Sequence, residues 1–112
     1  MNKLRYIPVD LVYQKDDEGH WNIRSLSALN LALINYKDIK PIPLTHEILE
    51  KNGWKKLYEK FFEKNVNNIR LTIEFSENIY IAINRIFIME IHYIHELQHL
   101  LFGLGINHKM EV

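Results

Sequence analysis

The chain has 112 residues, 47% of them hydrophobic, with 14 basic residues against 14 acidic ones and no cysteine. A chain of this length is expected to form one domain over 1–112, burying roughly two-thirds of its unfolded surface without a disulfide or metal staple. The lack of cysteine excludes thiol catalysis, Cys-based zinc ribbons and iron–sulfur ligation and suits a reducing cytoplasm, while zero net charge excludes a bulk pull toward nucleic acid or an anionic membrane.

The opening "MNKLRYIPVDLVYQ" carries positive charge, but Pro8 and Asp10 interrupt the apolar run a signal peptide needs, and no stretch reaches the length of a membrane span. A soluble intracellular protein is the expectation. Residues 4–13 read as a strand bent at Pro8, "QKDDEG" as a polar turn, and "HWNIRSL" as a second extended piece, together a hairpin. Asp16, Asp17 and Glu18 lack the alternating ligands and distal glutamate of a calcium loop, so they read as a solvated turn closed by Gly19. In "SALNLALINYKDI", Leu29, Leu31 and Leu33 alternate as in a strand, although Leu26, Leu29 and Leu33 also fit a helix; a strand is expected.

Punctuation is clearer in "KPIPLTHEILEKNGW". Pro41 and Pro43 hold the chain extended, Thr45 caps a short helix at 46–52, Leu44 and Leu49 can staple it, and Gly53 ends it. Next, Trp54, Leu57, Tyr58, Phe61 and Phe62 recur at helical spacing opposite Lys55, Lys56, Glu59, Lys60 and Glu63, which predicts an amphipathic helix over 54–64. "IRLTIEF", "NIYIAIN" and "IFIME" then read as an antiparallel meander. A last helix is expected near 91–104, stopping at Gly103 or Gly105. The fold class is therefore α+β, an antiparallel sheet with three helices.

The last helix contains His95-Glu96-Leu97-Gln98-His99, the H-E-x-x-H order in which two histidines one turn apart bind zinc and the glutamate works on metal-bound water. At 100° per residue, Tyr93, Ile94, Leu97, Leu100, Leu101 and Leu104 share an apolar face, and His92, His95, Glu96 and His99 fall opposite, so solvated histidines are the plainer expectation. Gly103 and His108 come too late for the extended zinc-protease pattern, and only Glu111 lies beyond as a carboxylate; His46 or Glu47 could still supply a third ligand.

"DIKPIPLTHEILEKNGW" and "YIHELQHLLFGLG" together resemble a family of small uncharacterised phage and prophage proteins of bacterial mobile elements. Its members carry a P-I-P-L-T-x-x-x-L-x-x-x-G-aromatic segment and a closing Y-V-H-Q-L-Q-N-L-Y-F-A-L-T-G helix. Ile39 through Trp54 match the first motif, and Tyr93, His95, Leu97, Gln98, Leu100, Phe102 and Leu104 match the second. Glu96 and His99 stand where that family usually has Gln and Asn. The resemblance implies an α+β domain and a mobile-element setting, hence the cytoplasm of a bacterial host cell, and supplies no catalytic residues.

These readings lead to a non-enzymatic accessory protein, with no cofactor, metal or catalytic residue assigned, that binds a bacterial host protein. A CRISPR effector nuclease or its ribonucleoprotein is the partner to test, and Trp54, Tyr58, Phe61 and Phe62 are the candidate binding residues. Two alternatives are a zinc hydrolase using His95, Glu96 and His99, and a nucleic-acid module using Lys51, Lys55, Lys56, Lys60, Lys64 and Arg70.

Overall fold

Short turns with strong local preferences decide where this chain reverses, and the computed structural model, which describes residues 10–26 and 39–112, follows them. The beginning of the expected first strand, with Pro8, and the expected strand in 27–38 lie outside the described residues. The fold is α+β, with two antiparallel sheets and two helices among the described residues. The chain divides into two compact units.

The first unit comprises the described residues up to Pro43 together with Tyr93–Met110. Strands β1 (Leu11–Lys15) and β2 (Trp21–Ser25) form the expected hairpin, and β3 (Ile39–Pro41) pairs on the other side of β1. Asp16 builds the turn by accepting the N–H groups of Glu18 at 3.0 Å and His20 at 2.8 Å. The His20 hydrogen bond favours the charged carboxylate and holds Asp16 below the usual range. Helix α1 (His46–Lys51) belongs to the second unit; helix α2 (Ile94–Gly103) lies against β1 here. Its N–H at Ile94 donates to the Ile42 carbonyl at 2.9 Å, and Pro43 bridges Tyr93, so the two resemblance motifs meet. Gly105, at φ 72°, closes α2 with the paired bonds Gly105 N–H to Phe102 and Ile106 N–H to Leu101. Val12, Leu26, Ile39, Ile42, Ile94, Leu97 and Leu101 are buried.

The second unit comprises Leu44–His92 with Glu111–Val112. Helix α1 (His46–Lys51) starts where Thr45 Oγ1 accepts the Ile48 N–H at 3.3 Å, and it ends at Gly53, φ 84°, with Trp54 N–H bonded back to Leu49 at 3.0 Å. Beyond it runs a five-stranded meander: β4 (Lys55–Tyr58), β5 (Phe61–Val66), β6 (Ile69–Phe75), β7 (Ile79–Ile83) and β8 (Ile86–Ile91). Phe62, Leu71, Ile73, Ile81 and Ile91 are buried, and His46 of α1 meets Phe62 and Phe75 with ring centroids 4.9 and 4.4 Å apart.

The expected helix over 54–64 is instead the β4–β5 hairpin, turning at Glu59 and Lys60. Its aromatic spacing fits a helix, but Asn67-Asn68 forms a tight two-residue turn that pairs 61–66 with 69–74 and recruits the segment into the sheet. Long-range pairing overrides a periodicity only eleven residues long. Among the described residues no helix is long and apolar enough to cross a membrane.

Candidate functional site

The zinc signature sits on α2 with each side chain engaged inside the first unit. His95 is 1% exposed, its ring near parallel to Tyr93 at 5.8 Å and edge-on to His99 at 5.5 Å. Burial, with His99 adding to it against an opposing effect of Glu96, pushes the imidazole down to about 4, so it is neutral at pH 7. Glu96 turns back along its own helix and accepts the Tyr93 N–H at 3.0 Å, satisfying a donor at the helix start. His99 Nε2 lies 2.7 Å from Oδ2 of Asp10, which is fully buried. Among the described residues no three His, Cys, Asp or Glu side chains are gathered so as to hold a metal ion.

The expectation that these imidazoles meet solvent is corrected for His95. Ile94, His95, Leu97, Gln98 and Leu101 form a buried arc roughly 160° wide at 100° per residue, wider than the apolar residues alone define. Two polar groups make that width possible. Gln98 Oε1 accepts the Leu11 N–H at 2.8 Å while its Nε2 donates to the His108 carbonyl at 3.0 Å, so both sides of the helix are covered.

The four expected binding aromatics part company. Trp54 and Phe62 are buried in the second unit, whereas Tyr58 is 74% exposed and meets the half-buried Phe61 edge-on at 6.2 Å. Strand register then adds residues that the sequence did not single out. Tyr58, Phe61, Glu74, Tyr80 and Glu90 lie in one cross-strand row, and Lys55, Glu63, Thr72, Ala82 and Phe87 in the next. Both rows occupy the face opposite the buried Phe62, Ile73 and Ile81. Phe87 is 59% exposed, with its ring 5.6 Å from that of Tyr80.

Strand β8 also closes this sheet at one side among the described residues. Ile86, Phe87 and Ile88 are exposed there, and the register shift leaves Ile88 as a bulge residue without a partner on β7. The signal available in the sequence was the two-residue spacer "NR" between two apolar runs, which makes "IFIM" one side of a hairpin.

The basic residues proposed for nucleic acid are in part split between faces and in part already engaged. Adjacent strand residues Lys55 and Lys56 point to opposite faces of β4. Lys51 donates to the Val112 carbonyl and Lys64 to the Asn52 carbonyl, both at 2.8 Å, and Arg70 Nε pairs with Glu63 at 2.8 Å. No protein-family model matches the chain, and neither a curated protein nor a solved structure does.

Proposed function

We propose that the protein is a non-enzymatic phage or prophage accessory protein that binds a bacterial host protein through the outer face of β4–β8. The partner class is a CRISPR-type defence nuclease or its ribonucleoprotein. The observation that carries this reading is the exposure of Tyr58 and Phe87, with Phe61 and Tyr80 beside them, among Glu74 and Glu90 on one sheet face. Arginine suits such a face, because its guanidinium stacks on an aromatic ring and forks onto a carboxylate. Nucleases concentrate arginine where they grip phosphate backbones. The resemblance carried by the P-I-P-L-T segment and the closing helix supplies the mobile-element setting and the host cytoplasm as the place of action.

The alternatives have less support. A general base at Glu96 would have to leave the helix start it satisfies, and His99 would have to leave the buried Asp10. Nucleic-acid binding through Lys51 to Arg70 would draw on Lys51, Lys64 and Arg70, each already engaged within the protein. The test is target cleavage by a purified, guide-loaded CRISPR effector nuclease from such a host. Wild-type protein is expected to suppress cleavage in a dose-dependent way, and a Tyr58→Ser, Phe87→Ser double variant to inhibit at least about tenfold less well. Full cleavage at saturating wild-type protein would remove the proposal.

A further inference from the structure

At one end of the second unit's sheet, two hairpin turns hold side chains where the backbone favours glycine. Asn67 and Asn68 have φ of 51° and 65° in the β5–β6 turn, and Asn84 and Arg85 have 50° and 71° in the β7–β8 turn. Both are two-residue turns of type I′, whose second position prefers glycine. Asparagine tolerates this left-handed geometry; a long side chain such as Arg85 is held there against strain.

Asn84 ties the two turns together. Its Oδ1 accepts the Arg70 N–H at 2.9 Å, and its own N–H donates to the Arg70 carbonyl at 2.8 Å. Arg70 and Arg85 consequently border one open cleft of about 510 Å³, completed by Asn65, Asn67, Asn68 and Asn84 with no carboxylate in its lining. Arg70 shares its Nε with Glu63, while Arg85 makes no ion pair among the described residues.

We propose that this cleft binds the phosphate group of a small ligand, with Arg85 as the principal contact and Arg70 as the second. The Arg85 guanidinium fork matches phosphate oxygens, Arg70 adds the N–H groups that its Nε contact with Glu63 leaves, asparagine side chains add neutral N–H donors, and the volume lies within the range of small-molecule sites. The assignment is independent of the docking face.

Arg85 makes the test unusually selective, because folding and binding pull in opposite directions at that position. The full chain is titrated at fixed ionic strength with inorganic pyrophosphate, with adenosine diphosphate and with adenosine, following the Arg85 Nε–H and asparagine side-chain amide resonances. Saturable shifts with both phosphate compounds and none with adenosine are expected. Equal affinity for the two would assign the phosphate group alone as the ligand, and tighter adenosine diphosphate a nucleotide; either result supports the site. Arg85→Gly should raise Tm by several degrees through relief of the turn while weakening pyrophosphate at least about tenfold. Arg85→Lys should lose part of the affinity, since it keeps the charge without the fork. No saturation up to ~10 mM pyrophosphate, or unchanged affinity in Arg85→Gly, would overturn the proposal.

Discussion

Helix α2 of the first unit and the outer sheet face of the second spend their side chains in opposite ways. Along α2, residues with catalytic potential are engaged within the fold: His95 packs, Glu96 satisfies the helix start, Gln98 bonds at both ends and His99 meets Asp10. Across β4–β8, residues with packing potential are turned outward, with Tyr58 and Phe87 exposed while Phe62 and Trp54 fill the core. The difference shows that a motif order and a residue type carry no function until burial is known. On α2 these side chains are already engaged in packing and hydrogen bonding, whereas on the sheet Tyr58 and Phe87 stay exposed, which is why the docking proposal is placed on that face.

The sharpest way to break this contrast is to truncate one aromatic from each side of the β4–β5 hairpin. Phe62→Ala is expected to cost about 3–5 kcal/mol, whereas Tyr58→Ser should stay within about 0.5 kcal/mol of wild type in denaturant unfolding. Equal losses would contradict the contrast between a buried and an exposed face.

A pH series probes α2 next. The folded His95 imidazole titrates near 4, below its ordinary 6.5, so the unfolded chain binds this proton more tightly. The contribution is therefore complete above about pH 6.5 and fades as pH falls, reaching a loss of about 3 kcal/mol by pH 4. Comparing wild type with His95→Leu at pH 7 and pH 4 isolates it; identical pH slopes would contradict the burial of this ring.

The smallest effect concerns Glu96. Replacement by alanine should cost about 1 kcal/mol, the worth of a helix-start contact, and Glu96→Gln less, since an amide oxygen can accept the same Tyr93 N–H. Retention of that contact is checked by hydrogen exchange at Tyr93.

Much of this was legible in the chain. The Thr45 cap, the Gly53 and Gly105 stops, the polar turn at Asp16 and the three-strand meander all depend on local chemistry, and each stands where the sequence put it. The failure at 54–64 has the opposite origin. Trp54, Tyr58, Phe61 and Phe62 satisfy a helical period and a strand equally over so short a run, and only pairing with β6 decides between them. The burial of His95 was not legible for a related reason: the polar side of α2 is engaged by distant partners, as where Gln98 accepts the N–H of Leu11, 87 positions away. Of the outer sheet face, only Tyr58 and Phe61 were singled out in the sequence, because cross-strand register is needed to bring Tyr80 and Phe87 onto it.

The outer face is tested most directly by calorimetric titration of a guide-loaded CRISPR effector with wild-type protein and with the Tyr58→Ser, Phe87→Ser double variant, alongside their melting curves. Saturable binding by wild type is expected, weakened at least about tenfold in the variant, with Tm unchanged within a few degrees. Binding of equal strength by the two proteins, or no binding by wild type, would contradict it.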